Sequence, residues 1–238
     1  MKAMTDDYIK KDEGIHIALI PDGNRRYAEK LGKPPWYGHM VGAKRIEEFI
    51  DWCEKYENIK IVSIFALSTE NLKRDKKELE HLWNIYKHQF HKMAHSEKLK
   101  ERKVRVNILG TEDVWRSDVH QAAKDVMKLT AQYSRKVLNI LLSYGSQFEI
   151  VDAVRKMIEK GINKTKIIKN ILEEYLLVSH PVDLIIRTGD QQRLSNFLLY
   201  QSAYAEIYFS KTLWPEFTEK EFNKIMEWYF EQKRKFGR

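Results

Sequence analysis

Short apolar runs alternate with amphipathic helical segments along this chain, and this alternation constrains the fold more than any other feature. The apolar runs cover residues 15–20, 60–67, 104–109, 137–142, 182–186 and 206–209. Apolar residues at helical spacing mark the segments 41–56, 79–93, 119–129, 150–158 and 164–177, and Thr218 begins a last helix that leads into a basic tail at 233–238. Strands that alternate with helices predict a mostly parallel, six-stranded α/β sheet flanked by helices.

The distribution of glycine and proline argues against a domain boundary. The 10 glycines and 5 prolines are scattered, and no repeat or linker is visible. With 238 residues, 43% of them hydrophobic, the chain can bury a sizeable core. We therefore predict a single domain over 1–238, in which 1–14 form a flexible N-terminus.

Charge and cysteine content restrict the partners and the compartment. The formal charge of +8 favours anionic partners such as phosphates, nucleic acid or an acidic membrane surface, although solubility explains it equally well. A single cysteine, Cys53, excludes an intrachain disulfide, and its place on an apolar helical stripe favours packing over catalysis. No apolar run approaches the ~20 residues that span a bilayer. We expect a cytoplasmic protein, with at most peripheral membrane contact.

The first apolar run ends abruptly in the polar sequence Asp22-Gly23-Asn24-Arg25-Arg26, which precedes a helical segment. Backbone N–H groups at a helix N-terminus attract anions, glycine permits close approach, and arginine forks suit phosphate. An acid beside a phosphate needs a cation between them, so Asp22 is a candidate Mg²⁺ ligand. The alternative is that Asp22 only caps the following helix.

Two further strand ends carry polar loops, one at 68–74 and one at 187–197. Ligands of parallel sheets bind outside the carboxyl ends of the strands, so the three loops should meet at one cleft. Arg187 and Arg193 are spaced to reach one diphosphate, unless Arg187 simply pairs with Asp190 at the surface. The chain lacks catalytic-triad order, a Cys-His metal cluster and a Walker loop. Such a cleft would hold diphosphates with a cation rather than form a covalent intermediate.

The helices after the first and second strands have broad apolar faces rich in aromatic residues and methionine. Core packing is the simpler explanation of these faces. A slot between them could also form a hydrophobic tunnel, between the sheet and the helices, for a hydrocarbon chain. Periodicity alone does not separate the two.

Three motifs, in order and at matching spacing, resemble those of the cis-prenyltransferases, the undecaprenyl diphosphate synthase-like enzymes. They are 22–28 (DGNRRYA) with Gly38-His39, 68–74 (STENLKR), and 187–199 (RTGDQQRLSNFLL) with 203–209 (AYAEIYF) and 213–215 (LWP). The resemblance runs from His16 to about Gly237. It implies an enzyme that condenses isopentenyl diphosphate with an allylic prenyl diphosphate, forms cis double bonds and releases pyrophosphate. It also implies dependence on Mg²⁺, no organic cofactor and, usually, a homodimer.

The same resemblance implies roles for individual residues. Asp22 holds Mg²⁺ on the allylic diphosphate, and Glu206 completes the metal site, often across the dimer interface. Asn71 is placed as the proton acceptor, but an amide is a poor base, so pyrophosphate or water is the alternative. The residues implied to bind the two substrates are Gly23, Asn24, Arg25, Arg26, Tyr27, His39, Ser68, Thr69, Glu70, Leu72, Arg74, Arg187, Arg193, Leu194 and Ser195.

Several positions depart from the family pattern. Arg25 replaces a glycine that many bacterial members have, and Tyr27 replaces a tryptophan. Pro35 stands where many members have an arginine for the allylic diphosphate, so that contact is lost or supplied by Lys33. These departures leave two alternatives open, a member with irregular condensation or another acceptor, and a non-catalytic partner subunit. A nucleic-acid-binding domain is disfavoured, because the arginines lie in strand-end loops and not along one helix.

Overall fold

Six parallel strands form the centre of the molecule in a computed structural model, which describes residues 14–232. The strands are β1 (Ile15–Ile20), β2 (Ile59–Ser68), β3 (Val104–Leu109), β4 (Lys136–Tyr144), β5 (Leu184–Arg187) and β6 (Glu206–Phe209). Their order in the sheet is β3-β4-β2-β1-β5-β6, and every neighbouring pair is parallel. The predicted α/β class and six-stranded sheet are confirmed. The predicted flexible N-terminus lies, except for Gly14, outside the described residues, as does the basic tail.

Eight α-helices connect and cover the strands in the described part of the chain. They are α1 (Asn24–Lys30), α2 (Pro35–Glu54), α3 (Lys76–Ala94), α4 (Glu97–Glu101), α5 (Ser117–Thr130), α6 (Ser146–Glu159), α7 (Lys169–Tyr175) and α8 (Glu219–Glu231). α2 begins six residues earlier than predicted, because proline is compatible with the first helical turn. The predicted segment 164–177 divides into a short 3₁₀ turn at Lys164–Lys166 and α7.

The two faces of the sheet bury two separate apolar clusters. Ile17 and Leu19 of β1 point to the larger cluster, which includes residues of α2, α3, α5 and α8. Ala18 and Ile20 point to the smaller cluster on the other face. Cys53 lies within the larger cluster, as the packing interpretation predicts, and burial raises the pKa of its thiol. No helix among residues 14–232 is long and apolar enough to cross a membrane.

A row of polar side chains, buried except for the half-buried Asn107 at its end, crosses four strands on the face of the smaller cluster. His16 Nδ1 donates to the carbonyl of Pro181 at 2.9 Å, so His16 Nε2 accepts from Ser63 Oγ at 2.7 Å. Asn139 Nδ2 donates to Ser63 Oγ at 3.0 Å, and Asn107 Nδ2 donates to Asn139 Oδ1 at 2.9 Å. Burial lowers the pKa of His16 to about 4, so this histidine is neutral in the folded protein.

The sheet order places the three polar loops side by side. β2, β1 and β5 are neighbours at the centre of the sheet, and all three run in the same direction. Ile20 at the end of β1 lies opposite Arg187 at the end of β5. The loops that follow these strands therefore emerge at the same edge, as the sequence predicts.

Candidate active site

The loop after β1 is a tight turn that only glycine suits at its last position. Gly23 has a φ of +111°, and a Cβ there would lie 2.9 Å from a Leu213 methyl carbon. Asn24 Nδ2 donates to the carbonyl of Pro21 at 3.0 Å. No side chain among residues 14–232 caps α1, so its first backbone N–H groups remain available to an anion.

Asp22 is held by arginines and does not cap α1. Arg187 Nη2 donates to Asp22 Oδ2 at 2.7 Å, and Arg26 Nη2 donates to Asp22 Oδ1 at 3.3 Å. Its backbone carbonyl accepts from Thr188 Oγ1 at 2.8 Å and from the N–H of Trp214 at 3.0 Å. The capping alternative is therefore wrong. The cation beside this carboxylate is guanidinium, and the side chain remains 30% exposed.

Arg187 joins the first loop to the third from a buried position. Its side chain is only 4% exposed, and its Nη1 donates to Ser195 Oγ at 2.8 Å and to the carbonyl of Arg193. Together with the bond to Asp22, these contacts fix both ends of the guanidinium fork. The alternative of a surface pair with Asp190 is wrong.

The loop after β2 folds around its own hydroxyl and amide groups. The N–H of Asn71 donates to Ser68 Oγ at 3.2 Å, and Arg74 Nε donates to Asn71 Oδ1 at 3.0 Å. Arg74 Nη1 then lies 3.2 Å from His39 Nε2 and 2.9 Å from Glu78 Oε1. Arg74 therefore connects the second loop to α2 and to the start of α3.

His39 is a neutral imidazole at this junction. Burial, and after it the charges of Arg74 and Arg25, lower its pKa to about 3. Since Arg74 Nη1 can only donate, His39 Nε2 accepts, and the proton of the neutral ring is on Nδ1. His39 can thus form hydrogen bonds in the cleft without adding charge.

Sequence reasoning missed Glu78, which compensates this cluster of positive charges. Glu78 Oε1 lies 2.9 Å from Arg74 Nη1 and 3.7 Å from Arg25 Nε, and the residue is buried. Asp75 and Glu78 form the spacing of a capping box, and Asp75 does accept from the first N–H groups of α3. In the sequence, this capping pattern already explains an acid at position 78. Only the spacing of four residues from Arg74 indicates that Glu78 also forms an ion pair.

Asn196 links the third loop to the second. Asn196 Nδ2 donates to Glu70 Oε1 at 3.2 Å, and Asn196 Oδ1 accepts from the N–H of Gln147 at 2.9 Å. Partial burial raises the pKa of Glu70, but hydrogen bonds from its own backbone N–H and from the side chains of Ser68, Asn196 and Thr69 outweigh burial, so the pKa is lowered. The second loop and the third loop are therefore in direct contact.

The other residues that the resemblance implies occupy more varied positions. Arg193 is exposed, and its Nη1 donates to Gln191 Oε1 at 2.6 Å. Tyr27 is half-buried on α1. Leu72 packs against the larger apolar cluster and Leu194 against the smaller one, so both also have a packing role.

A polar cleft of about 720 Å³ opens beside the first loop. Four cationic side chains and two carboxylates line it: Arg25, Arg26, Lys33, Arg74, Asp22 and Glu29. Lys33 thus faces the cleft near Pro35, at the place where the sequence lacks the family's arginine. The excess of positive charge suits a diphosphate.

A second, apolar cavity of about 90 Å³ adjoins this cleft. Its walls include Ile46 of α2, Leu82, Tyr86 and Phe90 of α3, and Ile64 of β2. Pro21, Asn24 and His39 line both spaces, so the two meet at these residues. Phe49 and Trp52 of α2 instead pack on Trp214, Phe217 and Phe222 in the core. Some aromatic residues of these helices thus pack in the core, as core packing predicts, and others line the apolar cavity.

One chain does not bring the two implied metal ligands together. Glu206 begins β6 opposite Leu184, and Leu184 lies opposite Ile17 in the first half of β1. Asp22 instead follows the C-terminal end of β1, two strands away from β6. Among residues 14–232, no three His, Cys, Asp or Glu side chains form a metal-binding group. Mg²⁺ is commonly held by one or two carboxylates and the phosphates of a substrate. The Asp22 carboxylate in a diphosphate-sized cleft fits that arrangement.

Known proteins resemble this chain over nearly its whole length. The prenyltransferase family model, described as putative undecaprenyl diphosphate synthase, matches residues 20–237. The tritrans,polycis-undecaprenyl-diphosphate synthase (geranylgeranyl-diphosphate specific) of Thermococcus kodakarensis is 42% identical, over 94% of this chain and 86% of its own. The synthase of the same name from Methanopyrus kandleri is 38% identical, over 94% of this chain and 84% of its own.

Two solved structures share the fold. Lavandulyl diphosphate synthase from Lavandula x intermedia, in complex with dimethylallyl diphosphate, has a TM-score of 0.86 at 28% identity and covers 95% of this chain and 99% of its own. A probable undecaprenyl diphosphate synthase from Campylobacter jejuni has a TM-score of 0.80 at 32% identity and covers 95% and 100%.

This chain belongs to the undecaprenyl diphosphate synthase family, the cis-prenyltransferases. The resemblance stated from the three motifs is confirmed, and the protein is a transferase of prenyl groups. The alternatives of a divergent acceptor or a non-catalytic subunit are not favoured.

Proposed function

We propose that this protein extends geranylgeranyl diphosphate with successive isopentenyl diphosphate units to a long cis-polyprenyl diphosphate. The observation that carries the proposal is the contact between a cationic cleft and an apolar cavity at Pro21, Asn24 and His39. A diphosphate in the cleft would direct its hydrocarbon tail into the cavity. The names of the Thermococcus and Methanopyrus relatives support the choice of geranylgeranyl diphosphate as starter.

The cleft residues would stabilise the departing diphosphate. Ionisation of an allylic diphosphate develops negative charge on the leaving oxygens, and preorganised donors stabilise that charge. Arg25 and Arg26, together with the uncapped N–H groups of α1, are placed to donate to it. Asp22 would hold Mg²⁺ against the same oxygens, and the ion would supply further charge neutralisation when bound.

The third loop would hold isopentenyl diphosphate. Arg187, Arg193 and Ser195 bring two guanidinium groups and a hydroxyl to one loop, beside Asp22. Asn71 is an unfavourable base in this setting, because its Oδ1 already accepts from Arg74 Nε. We therefore prefer the released pyrophosphate, or a water molecule, as the proton acceptor.

A second copy of the chain would complete the metal site. Glu206 lies too far along the sheet to share an ion with Asp22 of its own chain. The surface of α6 supports a homodimer, because Phe148, Val151 and Val154 are exposed at helical spacing and form an apolar stripe. The protein would act in the cytoplasm and touch the membrane through its lipid product.

Incubation of the purified protein with Mg²⁺, labelled isopentenyl diphosphate and allylic starters of increasing length tests the proposal. We expect incorporation that requires an allylic diphosphate, with the highest rate for geranylgeranyl diphosphate. The Arg26→Ala variant lacks one diphosphate donor of the cleft, so it should need a higher concentration of the allylic starter to reach the same rate. It is the matched variant that ties incorporation to the cleft. Absence of incorporation by the protein alone would contradict the proposal and favour a partner-dependent subunit.

A further inference from the structure

The turn that carries Asp22 is held from behind by a segment far along the chain. A Cβ on Gly23 would lie 2.9 Å from a methyl carbon of Leu213, so the two residues are in close contact. The backbone N–H of Trp214 donates to the carbonyl of Asp22 at 3.0 Å, and Thr188 Oγ1 donates to the same carbonyl at 2.8 Å. The position of the Asp22 backbone therefore depends on residues that are distant in the sequence.

The side chain of Trp214 ties this segment to α2. Trp214 is fully buried, and its Nε1 donates to the carbonyl of Gly42 at 2.9 Å. Three residues further along α2, Arg45 Nη2 donates to the carbonyl of Pro215 at 3.1 Å. Residues three apart on a helix lie on the same face, so one face of α2 holds two consecutive residues of the segment.

The same helix also contacts the turn directly. A Cβ on Gly38 would collide with the carbonyl oxygen of Asn24, and a Cβ on Gly42 would collide with Asn24 Oδ1. These two glycines therefore form a groove on α2 that receives Asn24. A Cβ on Gly42 would also lie only 3.0 Å from Cδ1 of Trp214, so Asn24 and the indole ring meet at one residue of α2. The turn is thus enclosed between α2 and Trp214.

The indole ring also faces the apolar cavity. Trp214, Gly42 and Asn24 all belong to the cavity wall, and Asn24 lines the polar cleft as well. Trp214 therefore contacts the backbone of Asp22 on one side and, on the other, the space that would receive the hydrocarbon tail. Since the ring carries no charge and lies outside the wall of the cleft, its effect on a diphosphate must pass through its neighbours.

We propose that Trp214 is a positioning residue for the allylic diphosphate, because its backbone N–H and its ring together set the place of the Asp22 turn against α2. The inference rests on the proposed function, in which Asp22 holds Mg²⁺ on that substrate. A displacement of about 1 Å at such a site can cost a factor of roughly 100 in rate. Ser195 and the carbonyl of Arg193, in the loop proposed for isopentenyl diphosphate, are held instead by the Arg187 guanidinium.

Two tryptophan variants separate positioning from packing. Trp214→Phe keeps a ring in the core and removes the N–H that reaches Gly42. Trp52→Phe is the matched control, because Trp52 packs on the same two rings, Phe49 and Phe217, and lies outside the walls of the cavity and the cleft. Both variants should lose stability.

Steady-state rates should distinguish the two variants. Only Trp214→Phe should raise the KM for geranylgeranyl diphosphate and the Mg²⁺ concentration at half-maximal rate, each by about fivefold, which corresponds to the net contribution of one hydrogen bond. The KM for isopentenyl diphosphate should change much less. Equal shifts in Trp214→Phe and Trp52→Phe would overturn the proposal. A higher KM with an unchanged Mg²⁺ requirement would mean that the ring only lines the cavity, and would overturn it too.

Amide hydrogen exchange, measured without substrate, tests the position of the turn independently of the reaction. Exchange in residues 20–27 should become faster in Trp214→Phe and stay unchanged in Trp52→Phe, and equal exchange in the two variants would contradict positioning. If the unsubstituted protein incorporates no isopentenyl diphosphate, the proposed function fails, and the exchange measurement alone decides the role of Trp214. If Trp214→Phe does not fold, Arg45→Met, which removes the donor to Pro215, replaces it in both measurements.

Discussion

Removal of the Asp22 side chain should destabilise the protein as well as inactivate it. Asp22→Ala leaves the Arg187 guanidinium, whose side chain is 4% exposed, without its carboxylate. Breaking a buried ion pair by removal of one partner costs about 3–5 kcal/mol. Because the Asp22 side chain is 30% exposed, water reaches the vacated position, and we expect a loss near the lower limit, about 3 kcal/mol.

Asp22→Asn provides the matched comparison. The amide oxygen still accepts from Arg187, but the charge is lost, so the expected destabilisation is about 1.5 kcal/mol, the lower range for a hydrogen bond to a charged group. Under the proposed function both variants should lose turnover, since neither offers the carboxylate that would hold Mg²⁺. Arg26→Ala removes the exposed partner of Asp22, and the expected change is within about 1 kcal/mol.

Urea unfolding, followed by tryptophan fluorescence, measures these differences, and product formation over a range of Mg²⁺ concentrations measures turnover. From most to least stable, the expected order is the native protein, Asp22→Asn and Asp22→Ala. If Asp22→Ala were as stable as the native protein, the ion pair between Asp22 and Arg187 would contribute nothing to the free energy of unfolding. A near-normal rate in Asp22→Asn would remove the charge of Asp22 from the mechanism.

Three further outcomes are expected. Arg193→Ala should raise the KM for isopentenyl diphosphate much more than that for the allylic substrate, and an unchanged KM would show that the third loop is misassigned. Gly42→Ala gains about 1 kcal/mol of helix propensity, but its Cβ would lie 2.2 Å from Asn24 Oδ1. Since overpacking costs about 1–3 kcal/mol, thermal unfolding should show a net loss of stability and rate assays a loss of activity. Full activity would mean that the Asn24 side chain can move freely. Lowering the pH from 7 to 5 should destabilise the protein by about 2 kcal/mol through His16, since the unfolded chain is protonated below about 6.5 and the folded one only below about 4. Urea unfolding of the native protein and of His16→Gln at both pH values checks this. An equal loss of unfolding free energy between pH 7 and pH 5 in the two proteins would contradict it.

The sequence predicts the strands and their loops well, because burial on both faces leaves a continuous apolar signal. Residues 60–67 and 137–142 are such runs, and both form central strands of the sheet. The start of α2 is predicted less accurately from the sequence. Two consecutive prolines at 34 and 35 are typical of a turn, and the same residues are compatible with the residue before a helix and its first position.

Side-chain partners at the site could not be predicted, because they are distant in the sequence. Asp22 and Arg187 are separated by 165 residues, and only the sheet order brings them together. Periodicity likewise identifies the buried side of a helix and not its neighbour. Phe49 on α2 therefore packs in the core, while Ile46, three residues earlier, faces the cavity.

The position of Arg187 has a consequence for the order of events at the site. Its two terminal nitrogens bind Asp22 and Ser195, and its buried Nε has no hydrogen-bond partner among residues 14–232. A buried guanidinium requires compensation by a negative charge, and here Asp22 supplies it. In the proposed function, Asp22 would also hold the divalent ion that accompanies the allylic diphosphate, and it would then share its negative charge between that ion and Arg187. Arg187 would be compensated less completely and would offer more positive charge to the second diphosphate. Lysine could not replace Arg187, because a single ammonium nitrogen lacks the rigid fork whose two ends reach Ser195 and Asp22.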